Sequence, residues 1–241
     1  MTNPLQIKNL VRGAWCVLAA ATAGCGGRQH AGEPAPTTPL PTAGLAAQQV
    51  SVLPLALLAA EDSLHWQTLL ADRRAALAQA DSVIGTLLTA RTPEVTWVLP
   101  AELRRAAHRA PGIAPDPDRM GTAVLRAPGM ELVPDPLRGE LRTLVALGGN
   151  GGRYALVPAA LVYRRTGGQA DRRSGDVQKG VTGDVGAQHA APLHVAVAEL
   201  SIVMVDVRTG RIGFRTVARG EGDDPWSALT RAVKSLTPGL P

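Results

Sequence analysis

Apolar positions along the chain follow two rhythms. From Ala71 to Arg91, the residues Leu77, Ala80, Ile84, Leu87 and Leu88 recur at three- and four-residue spacing. That spacing lays one apolar stripe along a helix, and Thr92-Pro93 ends it, because the residue before a proline disfavours helical geometry. From Pro225 to Leu236 the stripe is Trp226, Leu229, Ala232 or Val233, and Leu236. Asp224 stands before it as an N-cap, with Pro225 at the first helical position.

The other apolar runs are short and rich in Val, Leu and Ile. Val50–Leu58, Val95–Leu99, Arg153–Arg164 and His194–Val207 read as strands. Pro158 lacks a ladder donor and predicts a break or bulge in its strand. Arg208-Thr209-Gly210 is a tight turn, after which Arg211–Arg219 returns antiparallel, with Ile212, Phe214, Thr216 and Ala218 facing one side. The 194–207 run cannot hold all its apolar residues on one face, which predicts a bulge near Glu199 to Ser201. It also outruns its partner, which predicts further pairing with 153–164 or with another chain. Weaker signals give a short helix or lid over 61–70, a basic helix over Pro100–Ala110, a strand over 122–126, and helix or strand over 137–147.

The order is strand, helix, strand, helix, then antiparallel strands closed by a helix. It predicts an α/β (α+β) fold: a single sandwich domain with a mixed sheet, helices packed on it, a long carboxy-terminal antiparallel hairpin and a final helix. That domain is expected over 50–241, with a mobile polar, Gly-rich loop over 166–192. The opening VSVLPL, the helical ADSVIGTLL, the strand ending at Pro100 and the closing VMVDVRTGRIGFR resemble the TolB amino-terminal and curli-secretion-lipoprotein superfamily. The resemblance is one of layout, and it implies a bacterial envelope protein.

The first residues carry an address. Lys8 and Arg12 precede the apolar run 14–23, which is followed by small residues. Basic, then apolar, then small is the order of a secretory signal, and the run is far shorter than the ~20 residues that span a bilayer. Thr22-Ala23-Gly24-Cys25 resembles the bacterial lipobox, with Thr22 where the usual pattern has Leu. The resemblance implies a signal peptide over 1–24, diacylglycerol on the Cys25 thiol and acylation of the new amino terminus. Several acyl chains, at ~0.8 kcal/mol per buried CH₂, make a stable membrane anchor. Gly26, rather than Asp, implies export to the outer membrane, facing the periplasm. Residues 25–49, rich in Gly, Pro, Thr and Ala, read as a lipidated, disordered linker.

Composition narrows the function. The chain has two cysteines, Cys16 and Cys25, so neither a disulfide framework nor a cysteine zinc site is expected in the domain. Loss of Lys8 and Arg12 with the signal peptide lowers the formal charge of +5 by two. With scattered basic residues and 3% aromatics, nucleic acid is not an expected partner. Gly148-Gly149-Asn150-Gly151-Gly152-Arg153 lacks a GK[ST] ending and precedes a strand, so it reads as a turn rather than a phosphate cradle. His30 reads as solvated, His65 and His108 as surface or core histidines, and His189 and His194 lack a third ligand. Asp116, Asp118, Asp223 and Asp224 fit loop and cap roles rather than EF-hand spacing. Asp62, Ser63 and His65 are sequence neighbours without a G-x-S-x-G elbow. No catalytic, cofactor or metal site is therefore expected, and Cys25 is the one site residue. The expectation is a non-enzymatic envelope module that binds an envelope protein partner or a second copy of itself. The alternative is a lipid-anchored hydrolase or small-ligand-binding protein whose site is assembled from distant residues.

Replacing Cys25 by Ser should abolish lipid labelling and release the protein from membranes. A variant that still fractionates with membranes and still carries label contradicts the anchor.

Overall fold

The computed structural model of the protein describes residues 36–149, 151–166 and 195–238. Cys25, Asn150, the histidines at 30, 189 and 194, and all but Thr166 of the loop expected over 166–192 lie outside them. Six strands form one mixed sheet, with four α-helices packed on it: β1 Gln49–Val52, β2 Leu58–Ala60, α1 Arg73–Arg91, β3 Thr96–Val98, α2 Pro100–Arg109, α3 Leu137–Gly148, β4 Tyr154–Arg165, β5 Ala196–Asp206, β6 Arg211–Gly222 and α4 Pro225–Leu236. The sheet order is β3-β1-β4-β5-β6, with β2 also on β4. β1, β2 and β3 run parallel to their neighbours, whereas β4, β5 and β6 are joined antiparallel.

Both faces of the sheet are covered. α1 and α4 bury Ala76, Ala80, Ile84, Leu88, Leu229, Val233 and Leu236 with Leu156, Leu200 and Ile202 in one core. α2 and α3 bury Leu103, Leu137, Leu141 and Leu144 with Ala155, Val157, Val203 and Val205 in the other. Alternation along β4 (Ala155 one way, Leu156 the other) is the period-2 geometry of a strand sandwiched between helix layers. β4 carries Ala155–Leu161 fully buried, as expected of a strand covered on both faces.

Several expectations are corrected. Residues 36–49 are packed and not linker: Leu40 and Leu45 are buried in the α1–α4 core, and the Leu40 amide donates to the Leu236 carbonyl. Thr37 Oγ1 donates to Val217 O and accepts from the Arg219 amide, so this segment runs along the outer edge of β6. The apolar content of two leucines, placed where an edge needs covering, outweighs the Pro-rich composition. The domain therefore begins by Pro36 and not at 50. The opening apolar run is not one strand, because it is interrupted over 53–57. Residues 61–70 hold only a 3₁₀ turn, Asp62–Leu64, and 122–126 is a 3₁₀ turn and not a strand.

Within the run expected over 194–207, Ala196–Asp206 is paired with β4 on one side and β6 on the other, so this stretch offers no edge. Nor does it bulge at Glu199–Ser201. The irregularities lie in its partners, at Ala159 of β4 and at Gly213 of β6. The Gly213 bulge turns Ile212 to the α2–α3 core while Phe214 and Ala218 face the α1–α4 core. An inserted residue reverses the facing of everything beyond it, so the expected single face of β6 is split.

α4 lies directly on β6 because Gly220 and Gly222 leave it room. A Cβ on Gly220 would sit 2.1 Å from the Ala232 amide nitrogen and 2.5 Å from Ala228 O. Backbone cannot yield as a side chain does, so Gly220→Ala should cost about 3 kcal/mol in urea unfolding. Gly213→Ala, with nothing within 4 Å of the added carbon, should leave stability within about 1 kcal/mol of the parent. Equal effects at the two positions would contradict this packing.

Candidate functional site

The interruption of the first strand makes the polar centre of the fold. Up to Val52 the chain pairs with β3 on one side and β4 on the other; β3 stops at Val98, opposite Ser51. Beyond that point the outer edge has no strand beside it. The Leu55 amide, freed there, donates to Asp81 Oδ1 at 2.8 Å. Asp81 sits in the buried stripe of α1, its side chain 5% exposed. A buried carboxylate needs a charge partner, and Arg104 on α2 supplies one, Nη2 to Oδ2, at 2.7 Å. Arg104 also forks onto both Asp118 oxygens, from Nε at 2.9–3.0 Å and from Nη2 at 2.7 Å.

Asp118 is itself placed by a short turn. Its amide donates to Asp116 Oδ1, which caps the 3₁₀ turn Pro117–Arg119. The clasp thus joins α1 on one face of the sheet to α2 on the other, at the carboxyl ends of β1 and β3. Open α/β sheets commonly bind ligands at that end. Here the protein's own carboxylates take the Nε and Nη2 donors of Arg104. Burial pushes the Asp81 carboxyl above its ordinary value, against the lowering pull of the Leu55 amide and Arg104. Arg104 is held yet more firmly protonated, chiefly by its bond to Asp118. Since a guanidinium stays charged at all accessible pH, the pair is ionic whenever Asp81 is ionised.

The same edge opens further along. Leu57 O accepts from the Leu161 amide and the Glu61 amide donates to Tyr163 O, so residues 57, 59 and 61 face β4. Backbone bonding alternates along a strand, so Leu58 and Ala60 direct their amide and carbonyl groups away from β4. Arg73, at the start of α1, donates to Leu58 O at 3.5 Å. The amide and carbonyl of Ala60 have no partner among the described residues. Beside them lies a pocket of about 280 Å³, lined by Leu58, Glu61, Trp66, Gln67, Leu70 and Arg73. Trp66 stands edge-on to Tyr163 with centroids 5.2 Å apart, and the Tyr163 hydroxyl donates to Pro225 O at 2.9 Å. Burial, and secondarily Asp224, raises the Tyr163 pKa, so this anchor stays neutral. Glu61 Oε2 accepts from the Arg165 amide, tying the end of β2 to the end of β4.

The residues weighed in the sequence fall mostly into local roles. Asp224 is the N-cap of α4, accepting from the Trp226 and Ser227 amides. His65 caps the 3₁₀ turn in left-handed conformation, at φ 54°. His108 is exposed in the last turn of α2. Ser63 Oγ reaches Glu61 at 3.5 Å. No group of three or more His, Cys, Asp or Glu is placed to hold a metal among the described residues. Sequence reasoning missed Asp81, Arg104 and the β2 edge. The signal for the first was present: Asp81 interrupts the stripe of Ala80, Ile84 and Leu88, where an acid must find a cation. No family model, no curated protein and no solved structure matches the chain, so its function must be argued from its own residues.

Arg104→Ala leaves Asp81 buried without its cation and should cost about 2 kcal/mol. This is below the value for fully buried pairs, because the Arg104 side chain is 29% exposed. Asp118→Ala, at a half-exposed carboxylate, should cost less than about 1 kcal/mol. Because the folded-state pKa of Asp81 lies above 3.8, the folded protein holds this proton longer than the unfolded chain. The stability of the parent relative to Asp81→Asn should therefore fall as pH rises from 3.8 through the folded pKa. A relative stability that rises over that window contradicts the burial argument.

Proposed function

We propose that this chain is a lipid-anchored envelope protein, held through Cys25 at the periplasmic face of the outer membrane. Its domain acts as a non-enzymatic module that takes an extended partner segment by strand addition along β2. One observation carries the reading: the Ala60 amide and carbonyl, at a sheet edge, have no partner among the described residues, and they lie next to a pocket walled by Leu58, Trp66 and Leu70 with Glu61, Gln67 and Arg73. In strand addition, main-chain bonds supply affinity and a pocket beside the edge reads alternate side chains. The partner segment is extended, carries a modest apolar side chain for the Trp66 pocket, and meets Arg73 and Glu61 at its flanks.

The anchor reading rests on the Ala23-Gly24-Cys25 sequence. About ten residues separate Cys25 from Pro36, and a chain of that length reaches at most ~35 Å. A partner bound by this domain would therefore meet it close to the membrane surface.

Ala60→Pro removes the outward amide and none of the bonds to β4, which are made by residues 57, 59 and 61. A photo-crosslinking residue at exposed Ala59 should give a discrete adduct in native envelopes, and the adduct should vanish in the Ala60→Pro background while thermal unfolding stays within a few degrees. An adduct that survives Ala60→Pro unchanged, or a chain that forms none and turns over esterase, phosphatase or glycosidase substrates, supports the alternative.

A further inference from the structure

The Gly-rich segment before β4 is not a phosphate loop in the nucleotide-binding sense, since it follows the end of α3 and leads into a strand. It nevertheless lines a pocket of about 540 Å³ whose wall is Arg142, Ala146, Gly151, Gly152, Arg153, Val207 and Arg208. Three guanidinium-bearing residues border this pocket, and no carboxylate-bearing residue does. Their charges are not equally spent. Arg153 is paired with Asp206, Nη2 to Oδ2, at 2.7 Å. Among the described residues Arg142 bonds only to neutral acceptors, the carbonyls of Val207 at 3.3 Å and Arg208 at 2.7 Å. The exposed Arg208 side chain has no hydrogen bond or ion pair among the described residues. Two cationic charges therefore border one concavity with no acid paired to them among the described residues.

The Asp206 carboxylate could have quenched a second arginine, but its positions are taken. Oδ2 accepts from Arg153, and Oδ1 accepts from the Arg208 and Thr209 amides of the turn. The same turn geometry that fixes Asp206 thus leaves the Arg208 side chain without an acid. Gly152 also lines the pocket, and its amide has no acceptor among the described residues. Gly149 lets this loop close on Gln49: a Cβ there would lie 2.1 Å from Gln49 Nε2.

We infer that this pocket binds the phosphate group of a small phosphorylated ligand, with Arg142 and Arg208 as the guanidinium donors. Forked guanidinium donors suit phosphate oxygens, two unpaired cations match a dianionic phosphomonoester, and the volume admits more than the bare anion. The site is separate from the β2 edge: Arg153 precedes β4, whereas β2 pairs with Leu161–Tyr163 near the far end of β4.

The test is calorimetric titration of the full chain in non-ionic detergent, at low ionic strength. The probes are inorganic phosphate, glycerol phosphate, the phosphodiester glycerophosphoglycerol, and succinate as a dicarboxylate. Phosphate and glycerol phosphate should bind. Arg208→Glu should weaken both by roughly tenfold or more, and Arg126→Glu, an exposed arginine outside the pocket, should leave them unchanged. Arg208→Gln should fall between the parent and Arg208→Glu. Diester binding as tight as monoester binding would support the phosphate site and assign its source to a lipid headgroup; monoester preference would support it and assign a soluble metabolite. No binding of any phosphate probe, equal weakening by Arg208→Glu and Arg126→Glu, or succinate binding as tight as glycerol phosphate would overturn the assignment.

Discussion

The bond from the Leu55 amide to Asp81 is the constraint on which the rest of this fold depends. A parallel strand flanked on both sides needs no side chain to satisfy its backbone. This first strand loses its outer neighbour halfway, when β3 ends and the chain turns into α2. The orphaned amide would be buried, because Leu55 is part of the core. Asp81 accepts it, but at the cost of placing a carboxylate inside the sandwich. Arg104 offsets that charge, and Asp118 holds Arg104. Each member is explained by the one before it, and the chain of consequence runs from a short β3 to a loop on the opposite face of the sheet.

The same logic organises the remaining edges. β6 would be a long open edge and a template for association. It is covered near one end by Glu131–Val133, which bonds to Gly210 and Ile212, and further along by Thr37 and Thr38. On the β1–β2 side, α1 guards the edge with side chains instead of backbone: Asp81 takes Leu55 and Arg73 takes Leu58 O. Ala60 is left without such a guard. An uncovered position on an otherwise managed edge is informative in a way that an uncovered edge alone would not be.

How much of this was legible in the sequence follows from the range of the interactions. α1, α2 and α4 were readable because stripe, cap and proline signals are local, and Asp224-Pro225 marks a helix start wherever it lies. The mixed sheet and closing hairpin were readable from apolar runs and the Arg208-Thr209-Gly210 turn. The Gly213 bulge was not, because the residue that must face each core is decided by β5, which satisfies both cores only if β6 changes face between Ile212 and Phe214. Nor was the packing of 36–49, whose proline-rich composition describes an unpartnered chain; Leu40 and Leu45 are ordered by a helix almost two hundred residues away. The clasp was half legible: Asp81 in an apolar stripe calls for a cation, but only the folded chain selects Arg104.

The irregularities of the sheet also explain one another. Between Val52↔Leu156 and Leu58↔Leu161 the first strand advances six residues while β4 advances five. Between Pro158↔Ile202 and Ala160↔Ser201, β4 advances two while β5 advances one. Each strand outward from β5 thus gains one residue over its inner neighbour at the same level. Extra residues on successive strands bend them in the same sense and increase the local twist. Pro158 fits this level because it has no amide to place in the ladder, and its carbonyl instead accepts from Ala56. The β1–β2 run carries both extra residues relative to β5, and β3 ends beside its first half, opposite Ser51. Past the end of β3 the run needs Asp81 at Leu55, and Ala60 has no backbone partner among the described residues.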